Sequence, residues 1–291
     1  DVHMKRFTNS RKQNAVLFMK EQGMNDALGG VWTNSKSYDH ILKIGKGQNQ
    51  FDVISSYNLL KGVKPDMFSD PHRFAHHLTS SQVMCYNFFR PLINKEGGLS
   101  NELIDILEGR NVQIPDNCTC EFEASNPIDN TSYDMAIGSA KFEIKFTEYG
   151  FGKAKKDIRH EEKFESIYID LIRKCKCLSY IPEIEVFLKY YQLFRNILHI
   201  DDKSKYAIFI FPKGNKQCCR EFQEFASIFI NDEYRENIQS WYSEEFAMEN
   251  LWRNPYKIYP IWDSVLWDAV KREENITLLL NCSCMDAEMD T

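Results

Sequence analysis

Long hydrophobic runs are missing from this chain of 291 residues. The longest, Tyr206–Phe211, falls far short of the roughly 20 apolar residues that span a bilayer, as does the Thr-interrupted Ile276–Leu280, so no membrane segment is expected. Proline and glycine are scarce, at 9 and 13, which excludes collagen-like and low-complexity chains. Basic residues are not in excess either. With 36 Lys and Arg against 42 Asp and Glu, the formal charge is −6, unlike a domain that coats nucleic acid indiscriminately. A local basic surface beside a carboxylate-rich site is compatible with that balance. No apolar leader follows Lys5 and Arg6, so the expectation is a cytoplasmic chain without a secretory signal, with residues 1–3 a remnant ahead of a native Met4.

Hydrophobic residues make up 43% of the chain, enough for a substantial core without disulfides. The nine cysteines are Cys85, Cys118, Cys120, Cys175, Cys177, Cys218, Cys219, Cys282 and Cys284. An odd number suits free thiols in a reducing compartment. Three C-x-C pairs raise a structural zinc site as a minor alternative, but the usual zinc spacing is C-x₂₋₄-C.

Periodicity divides the chain into a central region and two elaborations, with no internal repeat, so a single domain is expected: a core of about 70–232 with helical elaborations at the N-terminus, 1–69, and the C-terminus, 233–291. Residues 5–69 are polar and mixed and give little structural signal. Asp70-Pro71 reads as a helix start, and the apolar run that follows predicts a helix over about 79–90. Ser100 caps another, with Leu103, Ile104 and Leu107 as its stripe and Gly109 as its stop. From Cys118 to Thr147 the period becomes that of three strands, turned by Asn126-Pro127 and Asp129-Asn130 and then by Gly138-Ser139. Helical spacing returns at Phe164, Ile167, Tyr168, Leu171 and Ile172, and again over 184–199. Tyr206–Phe211 suits a strand buried on both faces, Phe222–Phe229 a further helix, and Trp241–Leu280 a helical tail.

With Gly138-Ser139 as a two-residue turn, Ile137 faces Ala140, Ala136 faces Lys141 and Met135 faces Phe142, so that Asp134 lies opposite Glu143. Strand alternation then puts Lys145 beside the two carboxylates, while Tyr133, Met135, Ile137, Phe142, Ile144 and Phe146 share the other face. Like charges opposite each other in a sheet are unfavourable. A hard divalent cation would compensate them, since Mg²⁺ takes one or two carboxylates and fills its shell with waters and phosphate oxygens. Glu121 or Glu123 on the first strand is placed to add a third carboxylate, Glu123 being preferred. The plainer reading is a solvated strand face with Lys145 as a diagonal ion-pair partner.

Tyr133-Asp134 followed by Glu143-Ile144-Lys145 resembles the active-site signature of the PD-(D/E)XK nuclease superfamily, with Tyr133 in place of the proline. The surrounding text, Glu143–Glu148 with Phe151-Gly152, Ser80–Asn87 upstream and Tyr191–Asn196 downstream, is similar to a family of bacterial restriction endonucleases within it. That resemblance covers about 70–215. It implies an α/β (α+β) fold with a restriction-endonuclease-like core of helix, three antiparallel strands, helix and strand. It also implies a Mg²⁺-dependent endonuclease acting on DNA in restriction or defence, with Mn²⁺ as substitute metal. Asp134 and Glu143 would bind the metal and Lys145 would orient or deprotonate the attacking water. An acid that often comes from the preceding helix is replaced here by Gln82, leaving Glu123 or Glu121 to supply the ligand. A repair or RNA-directed nuclease, and a nucleic-acid-binding protein without activity, are the alternatives. A homodimer would suit cleavage of both strands.

Gln192 and Arg195 lie one helical turn apart beside Asn196, suiting either contacts to Lys145 and a phosphate or a plain inter-helix role. The densest basic stretch, Lys153, Lys155, Lys156, Arg159, His160 and Lys163, is a candidate for the DNA backbone, diluted by Asp157, Glu161 and Glu162. His72, His76 and His77 lack a completing acid or cysteine and read as surface or helix-end histidines.

Overall fold

The computed structural model describes residues 2–21, 23–56, 72–93, 97–115, 117–201 and 205–246. The Asp70-Pro71 helix start, Cys282, Cys284 and the tail beyond 246 lie outside them. No helix among the described residues is long and apolar enough to cross a membrane.

A five-stranded mixed sheet organises the chain, in the order β3 (Cys120–Ser125), β4 (Ser132–Ile137), β5 (Ala140–Ile144), β6 (Tyr206–Phe211), β7 (Ile238–Tyr242). The first three strands form an antiparallel meander, and β6 and β7 add in parallel. Gly138, at φ +51°, makes the turn that fixes the register, pairing Ile137 with Ala140, Ala136 with Lys141 and Met135 with Phe142. The ladder stops there because the Asp134 side chain takes over: its Oδ2 accepts the Ile144 N–H at 2.6 Å.

Both faces of the sheet are covered. Met135, Ile137, Phe142, Ile144 and Phe146 pack with α3 (Ser81–Phe89) and α4 (Asn101–Gly109) in one core. Ser80 and Ser100 cap those two helices by accepting the N–H of Val83 and Leu103. The reverse face, carrying Ala207, Phe209 and Phe211, packs on α6 (Ile169–Lys174), α7 (Ile184–Lys189), α8 (Tyr191–Ile197) and α9 (Lys216–Phe229), while α5 (Ile158–Lys163) buries no residue. A π-helical turn, Phe164–Tyr168, joins α5 to α6. The face expected to be solvated is therefore interior: Glu143 is 5% exposed and Lys145 9%.

Three sequence expectations need correction. The weakly patterned N-terminal stretch holds α1 (Val2–Glu21), a hairpin of β1 (Leu28–Val31) and β2 (Ser37–Leu42), and α2 (Gln50–Ser56). Its buried residues in α1, Met4, Phe7, Arg11, Ala15 and Met19, form a stripe too thin and too polar to stand out. The helix over 184–199 breaks at Tyr190, where Ala154 N–H donates to Leu188 O and Gln192 N–H to Gly152 O, so a loop enters the helical ladder. Trp241 begins no helical tail. It sits in β7, inside the sheet rather than in an elaboration, with its ring against Phe142 and Phe246.

Candidate active site

Where the meander meets α3, a cleft of 590 Å³ opens, lined by residues that include Gln82, Glu123, Asp134, Glu143, Lys145, Glu148 and Gln192. Lys145 Nζ donates to Glu143 Oε1 at 2.8 Å. Gln192 Nε2 donates to the same oxygen at 2.5 Å, and Asn196 Nδ2 to Glu143 Oε2 at 3.0 Å. Glu143 is thus a buried carboxylate held in one orientation by three donors. Gln192 is itself fixed, since its Oε1 accepts the Gly152 N–H at 2.8 Å. The loop after β5 is pinned in turn: Glu148 Oε2 accepts the Phe146 N–H, Asn215 Nδ2 donates to Phe146 O and Glu148 O, and Glu221 Oε2 accepts the Phe151 N–H.

Burial raises the Asp134 carboxyl well above the ordinary range, and repulsion from Glu143 and, less, Glu123 adds to it; Lys145 and the Ile144 N–H only partly offset the rise. Burial alone would depress the Lys145 ammonium, but Glu143, Glu148 and Asp134 outweigh it and hold the group protonated. A carboxyl that resists ionisation beside a cation that resists deprotonation is the pattern of a functional site.

Glu123 falls between the paired residues Phe122–Met135 and Ala124–Tyr133, level with Asp134, and its φ is +53°. That left-handed conformation is costly for a residue with a long side chain. Here it accompanies a carboxylate lining the cleft. Glu121, paired with Ala136, is exposed and lies nearer Lys141. The hard oxygen donors of Glu123, Asp134 and Glu143 fit Mg²⁺, and the uncompensated repulsion at Asp134 is the kind a divalent cation relieves. No three His, Cys, Asp or Glu side chains among the described residues stand close enough to form a ready cage. Mg²⁺ asks for only one or two carboxylates before waters complete its shell.

Other predicted residues fall elsewhere. Gln82 lines the cleft, where its Oε1 accepts the His72 N–H at 2.8 Å. Arg195 points away from it, donating to Thr131 Oγ1 at 3.1 Å and Asn130 O at 2.9 Å, with Nε 3.7 Å from buried Asp129. It pins the β3–β4 turn. Lys153 pairs with Glu221 at 3.0 Å and Lys156 with Glu185, while Lys155 and Arg159 are exposed, and none of the four lines the cleft. His76 and His77, expected at the surface, are buried because they pack in an aromatic cluster. Asn196 and Glu148 were not singled out for this site by the sequence. Asn196 carried a signal all the same, lying one turn after Gln192 on the same helix.

A family model described as restriction endonuclease associating with ARP matches residues 64–254. No curated protein and no solved structure matches the chain.

Proposed function

Because the chain belongs to the family of restriction endonucleases associating with ARP, we propose that it hydrolyses phosphodiester bonds of DNA at the cleft around Asp134, Glu143 and Lys145. The observation that carries this reading is the convergence of those three side chains, on β4, on β5 and just past its end, in one cleft with Glu123. Within the PD-(D/E)XK scheme, Asp134 and Glu143, with Glu123, are the residues that would hold Mg²⁺. When bound, the cation would supply positive charge to the phosphate and acidify water. Lys145, 2.8 Å from Glu143 Oε1 in the same cleft, is placed to orient or deprotonate the attacking water and to offer positive charge to the phosphate. Gln192 and Asn196 set the Glu143 carboxylate in place, the kind of support whose loss costs roughly 10–100-fold in metal affinity or activity. Water adds to phosphorus and gives up a proton to the surrounding solvent, the ester bond to the leaving oxygen breaks, and that oxygen takes a proton from solvent, so the products are a phosphomonoester and an alcohol. Two such sites, as in a homodimer, would serve both strands of a duplex.

One observation favours a second reading, a nucleic-acid-binding protein without activity. Glu143 already has donors on both oxygens, and the helix position that often carries an acid is Gln82. The two readings separate when supercoiled plasmid, linear duplex, single-stranded DNA and RNA are incubated with Mg²⁺, Mn²⁺ or EDTA. A nuclease cuts DNA with Mg²⁺, stops in EDTA and loses most turnover in Lys145→Ala. Binding without cutting under every condition supports the second reading.

A further inference from the structure

The active-site cleft does not end at its carboxylates. Trp32, His77, Thr79 and Thr147 line it and also line an adjoining pocket of 400 Å³, which continues to Lys12, Tyr38 and His40. The shared boundary is aromatic. Trp32, in the turn between β1 and β2, stacks on Phe74 with ring centroids 4.7 Å apart and planes 18° from parallel, and His77 lies 4.6 Å from it. Tyr38 and His40 extend the ring cluster outward.

An aromatic cluster is ordinarily a piece of core. Trp32 departs from that because it is only half-buried and borders both chambers. His77, 9% exposed, has a ring nitrogen, Nε2, without a hydrogen-bond partner among the described residues, which marks a polar group left unsatisfied at the same wall. Cations flank the rings: the Arg73 guanidinium lies 4.4 Å over Phe74, and Lys12 stands at the far pocket. Aromatic rings between cationic groups are the means by which proteins hold unpaired nucleotides, bases on the rings and backbone on the cations. Burial together with nearby Lys12 lowers His40 to about 4, so that ring is an uncharged neighbour to a base at neutral pH.

We propose that Trp32, backed by Phe74 and His77, is a stacking platform for an unpaired base of the strand being cut, and that it gives the site a preference for single-stranded or locally opened nucleic acid. The proposal rests on the nuclease reading of the neighbouring carboxylates. The hairpin that carries Trp32 precedes the residues matched by the family model, whereas Phe74 and His77 lie within them.

The test uses the full chain in EDTA, so that binding is read without cleavage. Affinity is measured for a fluorescent thymidine oligonucleotide and for a duplex of equal length. Trp32→Ala should weaken single-strand binding about tenfold, as expected for one lost stacking contact, and change duplex binding by less than about twofold, while Trp32→Phe keeps most of the affinity. Equal weakening of both ligands, or no change, overturns the platform. Unmutated protein gives an arm that no folding defect can mimic: oligonucleotides carrying 5-iodouracil at successive positions should photo-crosslink to Trp32, and crosslinks found only elsewhere overturn the proposal. Cleavage by wild type with Mg²⁺ is scored separately. Its failure counts against the nuclease reading alone, because binding and crosslinking do not depend on it.

Discussion

At the scale of single residues, the site is a balance between one carboxyl that resists charge and one held by three donors. The pH behaviour of Asp134 follows from its raised pKa. The folded state binds this proton more tightly than the unfolded one, so the group's contribution to stability is complete below the ordinary carboxylate pKa of about 4 and is lost as pH rises through the raised value. Asp134→Asn keeps an acceptor for the Ile144 N–H and removes the charge. Without Mg²⁺ it should melt like wild type near pH 4 and pull ahead of it by about 1–4 °C once the pH passes the raised value, from relief of the burial cost of the charge and of roughly 0.2–1 kcal/mol of cross-strand repulsion. Calorimetric scans across that pH range check this, and a gap that widens toward acid would contradict it. Asp134, Glu143 and Lys145 were legible because strand alternation and a two-residue turn fix which side chains share a face. The burial of Glu143 and Lys145 was not, since it depends on helices folded over them from about fifty residues away in sequence, as in the Gln192 and Asn196 contacts.

At the scale of elements, β3 carries a departure from regular strand geometry where the site needs a third carboxylate. Sequence alternation placed Glu121 and Glu123 on one face, whereas the positive φ of Glu123 separates their surroundings, a local twist that no periodicity reports. In an ordinary strand valine is favoured over glycine by about 1 kcal/mol. At position 123 the order should reverse: Glu123→Val should lose roughly 1–3 kcal/mol, because a β-branched residue is strained at φ +53°, and Glu123→Gly should cost less. Urea denaturation of the two variants measures this, and a more stable valine variant would mean the strand is regular there. The break between α7 and α8 has a similar origin. Hydrophobic spacing predicts one helix through Tyr190, but the docking of Gly152 and Ala154 interrupts it and delivers Gln192 to Glu143.

For the whole molecule, the order of helices and strands, including the wholly buried β6, was legible from the change of hydrophobic period, whereas the covering of both sheet faces by helices was not. The N-terminal hairpin and β7 were not, because short segments with mixed polarity gain their place from long-range contacts: Leu78 N–H donates to His40 O and Leu42 N–H to His76 O, while Trp241 packs on Phe142. Those contacts bring residues outside the family match to the wall of the active site. The measurement that bears most directly on the site is the rate of Mg²⁺-dependent nicking of supercoiled plasmid by wild type, Asp134→Asn and Glu143→Gln, with thermal melting as the check on folding. Nicking by wild type, falling to the EDTA background in both variants while they melt as folded proteins, is the predicted result. Variants that stay folded and nick the plasmid as fast as wild type would contradict the assignment of catalysis to this cleft.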